Sequence, residues 1–384
     1  MNKLLGLLSG LCLVVLMGGC ASECDQPSVS GAATNAQQTF EWKLVTTWPK
    51  NFPGLGAAPE NFAKAVNEMS AGRLKVKVYG ANELVPAMEV FDAVARGASQ
   101  MGHGAAYYWK GKSPATQFFT AVPFGLTAQE MNGWLHYGGG IELWRELYAG
   151  FNLVPFAGGS TGVQMAGWFN KEINSVEDLQ GLKMRIPGLA GEVLQRLGGV
   201  PVTLPGGELF TSLQRGSIDA TEWVGPYNDL TFGLHKAAKY YYYPGWHEPG
   251  AMLEFIINKD EWSKLPADLQ AIVTYATRAV NQDMLDEYTA RNNAALKELV
   301  EKHGVQVLRL PDDVLDALMR ASTEVIAETV ANDEMAKKVY ESFSAFTKDV
   351  IPYTLISEEA YVAARRDTSE RLKSSKRMST TEPE

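Results

Sequence analysis

Cysteine is scarce in this 384-residue chain, and its three copies, Cys12, Cys20 and Cys24, all lie near the N-terminus. The rest of the sequence offers neither a disulfide framework nor a nucleophilic thiol. Histidine is also rare, and the five copies show none of the spacings of a structural zinc site. No uninterrupted apolar run reaches the ~20 residues that a membrane-spanning helix needs. These absences argue against a thiol enzyme, a zinc-finger protein and a helical membrane protein.

Positive charge is in deficit as well. The 35 basic residues are outnumbered by 44 acidic residues, which gives a formal net charge of −9. This balance argues against nucleic acid or an anionic membrane surface as the main partner. The hydrophobic fraction of 46% and the charged fraction of 21% are those of an ordinary globular protein. The length predicts about two to three domains. A site for an anionic ligand must therefore supply its positive charge locally.

The first 19 residues are typical of a secretory signal peptide. Lys3 precedes an apolar segment at 4–17, which is followed by Gly18-Gly19-Cys20. Such a basic, apolar and small-residue order indicates a cleaved signal rather than a transmembrane helix. The Gly-Gly-Cys ending resembles a bacterial lipobox, which predicts acylation of Cys20 and membrane attachment through lipid only. Ordinary signal cleavage nearby is the alternative. Residues 20–39 are expected to form a flexible tether.

From Trp42 onward the hydrophobic pattern alternates between strand and helix periods. The predicted strands are 42–47, 74–79, 153–157, 163–169, 183–186, 200–203, 218–222, 251–257 and 305–309. The predicted helices are 59–71, 86–96, one long helix at 127–149, 189–197 and 206–215, and then an almost wholly helical region to residue 376. Ser175 and Asp178 predict a capping box. The aromatic run at 240–243 is interpreted as core and hinge packing.

The alternation of strands and helices predicts an α/β architecture with largely parallel sheets. No Pro/Gly/Ser-rich linker divides residues 42–350. Any two lobes must therefore be joined by a chain that crosses back and forth between them. This is the organisation of a hinge rather than of independent domains.

Two segments match enzyme motifs only in part. Residues 158–162 fit G-x-S-x-G with Ser160 as the nucleophile, but the residues that follow are typical of a strand, whereas a nucleophile elbow needs a helix. Gly111-Lys112-Ser113 lacks the earlier glycine of a phosphate-binding loop, because Ala106 stands at that position. No G-x-G-x-x-G lies between a strand and a helix, and no H-E-x-x-H occurs. The sequence gives no positive support for an enzyme.

Two strand ends carry candidate binding residues. Alternation in the strand at 183–186 places Arg185 on the face opposite Met184 and Ile186. Such an arginine either forms a structural ion pair or offers its planar guanidinium group to a ligand carboxylate. Glu222 and Trp223 end the strand at 218–222, where ligands collect in open α/β sheets. A capped loop is the structural alternative for that pair.

Several segments resemble the DctP-type solute receptors of TRAP transporters. They are the signal segment, the first strand W-K-L-V-T-T-W from Trp42, the segment EDLQGLKMRIPG at 177–188 and the segment 208–223, which contains LQRGSIDATEW. The likeness covers roughly residues 40–355, and the last two segments carry most of its specificity. It implies an α/β, two-lobe periplasmic-binding-protein-like fold with an interlobe cleft and long C-terminal helices.

The resemblance also implies domain boundaries. Lobe I is expected to comprise 40–163 and about 249–290. Lobe II, with the connecting helices, is expected to comprise 164–248 and about 291–350. Residues 351–384 are expected to form a C-terminal helix and tail.

The resemblance further implies the site residues. In this family the arginine that matches Arg185 receives the substrate carboxylate. Sialic-acid and C4-dicarboxylate receptors generally carry asparagine where Trp223 stands here. The combination of Glu222-Trp223 with Gln164 and His247-Glu248 instead resembles the branch that binds 2-oxo acids or lactate through a cation. The implied metal ligands are Gln164, Glu222, the Trp223 carbonyl and Glu248, and the implied substrate contacts are Arg185, Gln164, Trp223, Tyr107 and His103.

The charges of this set leave two cations open. Oxygen ligands suit hard cations such as Na⁺ and Ca²⁺. Two glutamates and a monocarboxylate sum to −3, and Arg185 brings the sum to −2. Ca²⁺ would neutralise the set and is mildly favoured because buried charge needs compensation, whereas Na⁺ would leave −1.

The function implied by the resemblance is that of an extracytoplasmic receptor, not an enzyme. It would close on a small monocarboxylate, such as pyruvate or another 2-oxo acid, or lactate, by hinge motion and deliver it to the membrane subunits of a TRAP permease. The C-terminal helices beyond residue 311 are expected to support a homodimer. The alternatives are an extracytoplasmic serine hydrolase that uses Ser160 and a structural lipoprotein with a non-binding cleft.

Overall fold

The structure, a computed structural model, describes residues 38–379, with side chains to residue 371. The predicted signal peptide, Cys20 and the tether up to residue 37 lie outside the described residues. The chain from Thr39 onward forms one compact unit. Its strands are β1 Phe40–Thr46, β2 Leu74–Tyr79, β3 Met101–Gly104, β4 Leu153–Ser160, β5 Gly167–Phe169, β6 Lys183–Arg185, β7 Val200–Val202, β8 Ala220–Thr221, β9 Tyr240–Tyr243, β10 Met252–Asn258 and β11 Gln306–Arg309.

Helices cover most of the remaining chain. They are α1 Ala57–Met69, α2 Val90–Ala95, α3 Ala128–Tyr137, α4 Gly140–Ala149, α5 Gly188–Arg196, α6 Leu209–Gln214, α7 Pro226–Phe232, α8 Lys259–Lys264, α9 Ala267–Glu301, α10 Asp312–Asn332, α11 Glu334–Thr354 and α12 Ala360–Ser379. A short π-helix, Leu355–Glu359, joins α11 to α12. Within residues 38–379, no helix combines the length and the apolar character needed to cross a membrane.

The strands form two sheets, and the chain passes between them three times. The first sheet has the order β2-β1-β3-β10-β4, and the second has the order β11-β9-β5-β8-β6-β7. The crossings therefore lie between β4 and β5, between β9 and β10, and between β10 and β11. This is the back-and-forth connection that the missing linker predicts. The long helix α9 packs against β4 of the first sheet and against α1 and α7, so it ties the two halves of the unit together.

The α/β class is confirmed, but the expectation of largely parallel sheets is wrong. Strand β10 runs antiparallel to both β3 and β4, and β5 runs antiparallel to both β8 and β9. Parallel neighbours need a crossover connection, usually a helix. The crossings that lead into β5 and β10 are short loops without a helix, so these two strands are free to enter their sheets in the opposite direction.

Each of the nine predicted strands overlaps an observed strand, while the single helix predicted at 127–149 is wrong. The chain forms α3 and α4 instead, separated at Gly138 and Gly139. Gly139 has φ +88°, a left-handed conformation that glycine adopts without strain and that ends a right-handed helix. Two strands, β3 and β9, were not predicted. The capping box of Ser175 and Asp178 is present.

Candidate functional site

Strand register brings Arg185 and Glu222 together. Arg185 ends β6 and pairs with Thr221 of β8, so Glu222 leaves the sheet beside it. The Glu222 backbone N–H donates to the Arg185 carbonyl at 3.3 Å, and Nη1 of Arg185 donates to Oε1 of Glu222. Both side chains are fully buried. The structural ion pair, one of the two alternatives for Arg185, is therefore part of this fold.

Three further groups hold the guanidinium group of Arg185. Its Nε donates to the Leu204 carbonyl at 3.1 Å, and its Nη2 donates to the Tyr108 hydroxyl at 3.1 Å. The guanidinium carbon lies 5.3 Å from the centre of a Trp223 ring. Burial is the largest effect and lowers the pKa of Arg185, but the Glu222 carboxylate together with Tyr108 and Tyr107 raises that pKa, and the net shift is upward. The site therefore contains a permanent positive charge in a fixed orientation.

Asp229 positions the loop that follows Glu222 and Trp223. Its Oδ1 accepts from the backbone N–H groups of Val224 and Gly225 at 3.4 and 3.2 Å. Its Oδ2 accepts from Trp168 Nε1 at 2.9 Å and from the Tyr241 hydroxyl at 2.7 Å. Burial raises the pKa of this carboxyl to about 7. The Trp223 backbone is thus held by a buried network rather than by a mobile loop.

Gln164 and Glu248 meet on the other side of Glu222. Nε2 of Gln164 donates to Oε2 of Glu248 at 2.8 Å and to Oγ1 of Thr161 at 3.1 Å. The Gln164 backbone N–H also donates to the Glu248 carbonyl at 3.1 Å. Because the amide nitrogen is used in this way, Oε1 of Gln164 is left without a hydrogen-bond partner.

The unpaired polar atoms converge in one buried cluster. Glu222, His247 and Glu248 each offer one ligand atom, and these atoms lie within 4.8 Å of one another. Oε2 of Glu222 has no hydrogen-bond partner, although the side chain is fully buried. Burial, together with repulsion from Glu222, raises the pKa of Glu248 well above its ordinary value. A positive charge placed here would lower that pKa and pair the free oxygens.

The donor set fits a hard cation. Unpaired oxygens of Gln164 and Glu222, a Glu248 carboxylate and the nearby Trp223 backbone are the oxygen types that Na⁺ and Ca²⁺ prefer. Buried polar atoms are almost always paired, so the unpaired Oε2 of Glu222 in the cluster and the unpaired Oε1 of Gln164, whose Nε2 bonds Glu248, call for a partner outside the chain. The structure thus places Glu222 and Glu248 in one cluster, with Gln164 hydrogen-bonded to Glu248 and Trp223 next to Glu222 in the chain. The role of these four residues as metal ligands stays a prediction.

Tyr107 and His103 differ in where they lie. Tyr107 is buried close enough to Glu248 for each group to affect the pKa of the other, which places it near the cluster. His103 has both ring nitrogens engaged, because Trp48 Nε1 donates to its Nδ1 at 2.8 Å and its Nε2 bonds the Gly158 carbonyl at 3.0 Å. Burial lowers the pKa of His103 to about 4. It therefore has no ring nitrogen free to hydrogen-bond a solute, and its part in covering the ligand stays a prediction.

Ser160 lacks the setting of a nucleophile. It ends β4 and is followed by a loop that leads into β5, so no helix follows it. Its Oγ accepts from the Gly162 backbone N–H at 3.3 Å. A nucleophile elbow requires a strand-to-helix turn, which is not found here.

Three residues in or beside the site were not nominated from the sequence. Tyr108 carries no local signal, because its partner Arg185 lies 77 residues away in sequence. Asp229 bonds the nearby Val224 and lies soon after the strand end at Glu222. His247 was noted only as the neighbour of Glu248, although it lies inside the cluster. A search for polar residues beside the predicted strand ends would have found Asp229.

Comparison with known proteins is consistent with this geometry. Residues 44–333 match the family described as "Bacterial extracellular solute-binding protein, family 7". A monocarboxylate 2-oxoacid-binding periplasmic protein from Nostoc sp. (strain PCC 7120) is 44% identical over 338 residues, which cover 88% of this chain and 92% of that protein.

Two solved structures are similar over nearly their whole length. A TRAP periplasmic solute-binding protein from Pseudoalteromonas atlantica T6c, with bound sodium and pyruvate, is 47% identical with a TM-score of 0.83 and covers 85% of this chain and 99% of its own. One from Colwellia psychrerythraea, with bound calcium and pyruvate, is 46% identical with a TM-score of 0.83 and covers 85% of this chain and 100% of its own.

Proposed function

This chain belongs to family 7 of the bacterial extracellular solute-binding proteins, the DctP-type receptors of TRAP transporters, and we propose that it binds a small 2-oxo acid such as pyruvate together with Na⁺ or Ca²⁺. The observation that carries the proposal is that Glu222 pairs one carboxylate oxygen with the oriented Arg185 and leaves the other buried and unpaired in the cluster with Glu248. Similar receptors hold pyruvate with sodium in one case and with calcium in another, which supports both ions.

In the proposed complex, Gln164, Glu222, Glu248 and the Trp223 carbonyl hold the cation. The solute completes the shell with a carboxylate oxygen and its 2-oxygen. Arg185 takes the solute carboxylate through N–H groups not used by Glu222, Leu204 and Tyr108. Five donors on one guanidinium group allow this, since the protein uses three of them.

The charges explain why cation and solute bind together. Glu222, Glu248 and Arg185 sum to −1, so an anionic solute meets net negative charge in a buried site. A divalent ion changes this sum to +1, which the solute carboxylate neutralises. A monovalent ion brings the sum to zero before the solute arrives. Lactate fits the same shell with its hydroxyl oxygen, and it is the second candidate solute.

We infer that the two sheets belong to two lobes that close on the solute. Lobe I comprises 40–163 and about 249–290, and lobe II comprises 164–248 and about 291–350. Tyr108 follows β3 of the first sheet, and it contacts Arg185 of the second sheet at 3.1 Å. A second polar contact, 3.2 Å from Lys110 Nζ to Glu192 Oε1, joins the same two regions. These contacts are of the kind that a closed cleft makes.

Binding without catalysis follows from the same site. The family is one of solute-binding receptors, and the residues around the proposed solute offer charge and orientation but no placed nucleophile. We propose that the chain makes and breaks no bond, and that it hands its solute to the membrane subunits of a TRAP permease.

We propose that the C-terminal helices form the interface of a homodimer. The segment 351–362 carries six exposed apolar side chains, namely Ile351, Tyr353, Leu355, Ile356, Tyr361 and Val362. Helix α12 packs mainly on the preceding π-helix, and the six side chains keep between 37% and 76% of their surface exposed. Apolar patches of this kind mark protein interfaces. We propose that a second copy covers them.

The extracytoplasmic location follows from the family, and the anchor is a separate proposal. Cys20 lies outside the described residues, so its acylation rests on the lipobox-like Gly18-Gly19-Cys20 alone. We propose a periplasmic protein that is held to the membrane by lipid.

Calorimetric titration tests the solute and the cation together. Pyruvate is titrated into chelator-treated protein, and the titration is repeated after Ca²⁺ or Na⁺ is restored, with lactate as a second solute and succinate as a control. We expect pyruvate to bind only when a cation is present and succinate to bind poorly. If cation-loaded protein shows neither heat nor a thermal shift with either monocarboxylate, the proposed function is wrong.

A further inference from the structure

His247 is a buried side chain that the proposed function does not use. Its exposed fraction is 1%, and neither Nδ1 nor Nε2 has a hydrogen-bond partner among the described residues. Its ring lies 5.6 Å from the ring of Trp246, in the loop between β9 and β10. Buried polar groups are almost always paired, so a fully unpaired imidazole calls for a ligand.

The distance to Glu222 indicates what kind of ligand this is. Nε2 of His247 lies 3.6 Å from Oε2 of Glu222, which is too long for a hydrogen bond. Two ligands bound to one zinc ion at about 2.0–2.2 Å lie about 3–4 Å apart. Glu248 supplies a third atom within 4.8 Å of the other two. The separation between His247 and Glu222 falls in the range for two ligands of one zinc ion, and Glu248 is close enough to be the third.

A nitrogen ligand changes the class of cation. The oxygens of Gln164, Glu222 and Glu248 account for Na⁺ or Ca²⁺, and an imidazole adds little for such hard ions. Imidazole is a preferred ligand of zinc and other first-row transition metals. A dication beside Glu222, Glu248 and Arg185 leaves a net charge of +1, which still accepts a solute carboxylate.

We propose that Glu222, His247 and Glu248 form a site for a divalent transition metal such as Zn²⁺, with a ring nitrogen of His247 as a direct ligand. The inference deepens the proposed function, because it widens the range of cations that the same site accepts. It does not depend on which solute is bound.

Zn²⁺ titration of a matched pair of variants tests the proposal. Chelator-treated wild type, His247→Gln and His235→Gln are titrated with Zn²⁺ and, separately, with Ca²⁺. His235 is a half-buried histidine that lies outside the cluster, and its substitution controls for the loss of any histidine. We expect His247→Gln to weaken Zn²⁺ binding at least tenfold and Ca²⁺ binding less than threefold, because glutamine still offers an oxygen. His235→Gln should leave the Zn²⁺ affinity of the cluster unchanged.

Three outcomes overturn the proposal. One is Zn²⁺ binding to His247→Gln as tight as to wild type, and another is an equal loss of Zn²⁺ and Ca²⁺. The third is weaker pyruvate binding in Ca²⁺-loaded His247→Gln with Zn²⁺ affinity unchanged, which would make His247 a hydrogen-bond donor to the solute. X-ray absorption of Zn²⁺-loaded wild type needs no variant. It should show an imidazole in the zinc shell, and a shell of oxygens alone overturns the proposal even if His247→Gln does not fold.

The two proposals fail separately. A protein that binds Zn²⁺ through His247 but binds no monocarboxylate contradicts the proposed function and leaves the zinc site standing. A protein that binds pyruvate with Ca²⁺, and whose Zn²⁺ affinity is unchanged in His247→Gln, contradicts the zinc site and leaves the proposed function standing.

Discussion

The hydroxyl of Tyr108 accepts a hydrogen bond from Nη2 of Arg185 at 3.1 Å, and this contact joins residues that follow strands of different sheets. Tyr108 lies in the short turn after β3, while Arg185 ends β6. The group that we propose as the carboxylate receptor is therefore oriented from both halves of the unit. Its geometry depends on their approach and not only on its own strand.

Arg185→Lys should weaken solute binding by about 1.5–3 kcal/mol, the scale of a hydrogen bond to a charged group. Lysine keeps the charge but loses the planar fork that reaches several acceptors at once. Since Arg185 also donates to Leu204 and Glu222, the variant should lower the melting temperature as well. Calorimetry with pyruvate and thermal unfolding measure the two effects separately.

Tyr108→Phe is the matched control for that experiment, because it removes one contact of Arg185 and leaves its charge and ion pair intact. It should reduce solute affinity less than Arg185→Lys does. A lysine variant with unchanged affinity and a lower melting temperature would assign Arg185 a structural role only.

Much of the fold could be predicted because each βα unit carries its own local signal. The alternation at 74–79 reproduces β2 residue for residue. The break between α3 and α4 was missed because hydrophobic periodicity continues through 127–149, whereas the left-handed Gly139 is a backbone property. Strand β3 was missed because its sequence, Met-Gly-His-Gly, has no strand propensity, and sheet neighbours on both sides stabilise it instead.

The site was predictable where chemistry coincides with a strand end. Arg185 and Glu222 could be nominated because both end strands, and the family resemblance supplied Gln164 and Glu248. Tyr108 could not be nominated, since its role depends on how closely the two sheets approach each other. His103 shows the same limit, because its partners Trp48 and Gly158 are distant in sequence and only the folded chain reveals that they occupy both nitrogens.

Glu254→Gln should make stability less dependent on pH. Glu254 is fully buried and accepts hydrogen bonds from Trp109 Nε1 at 2.5 Å and from the Tyr148 hydroxyl at 2.8 Å. Burial raises its pKa from 4.5 to about 7. Because its pKa is higher in the folded chain than in the unfolded chain, the carboxyl favours folding when it is protonated. Its contribution to the free energy of unfolding is full below pH 4.5 and is lost as the pH rises through 7. At about 1.4 kcal/mol per pKa unit, the loss is about 3 kcal/mol.

Denaturant unfolding of wild type and Glu254→Gln at pH 5 and pH 8 measures this difference. Glutamine can accept a hydrogen bond from Trp109 and donate one to the Tyr148 oxygen. The free energy of unfolding of the variant, relative to that of wild type, should therefore be higher at pH 8 than at pH 5. Tyr148→Phe should have the opposite effect at high pH, because it removes a donor that stabilises the ionised carboxylate. Identical slopes against pH in wild type and Glu254→Gln would show that Glu254 does not titrate in this range.

Cys20→Ser should release the protein from the membrane fraction or block its maturation, because acylation needs the thiol. Fractionation of cells that express wild type and variant measures this directly. Solute affinity should not change, since the site is built from residues beyond position 100. A wild-type protein that is soluble, cleaved and carries a free Cys20 thiol would contradict the lipobox interpretation.

Glu222→Gln should weaken cation binding and, because the two ligands are coupled, solute binding as well. Glu222 gives one carboxylate oxygen to Arg185 and leaves the other unpaired, so a single side chain links the proposed solute receptor to the proposed cation site. By linkage, cation and solute must raise each other's affinity by the same factor, and coupled sites typically share about 1–3 kcal/mol. Glutamine keeps an oxygen ligand but removes one negative charge. The variant should therefore lose most of its cation affinity and show a smaller cation effect on pyruvate binding.

Glu248→Gln separates the charge effect from the loss of the ion pair. It removes the same charge from the cluster without touching Arg185, whereas Glu222→Gln also leaves a buried arginine without its carboxylate, a change that costs about 3–5 kcal/mol of stability when a buried pair is broken. Both variants should weaken cation binding, but only Glu222→Gln should lower the melting temperature strongly. Pyruvate affinity that is equal in verified metal-free and cation-loaded wild type would remove the cation from the mechanism, and Arg185 would then bind the carboxylate without it.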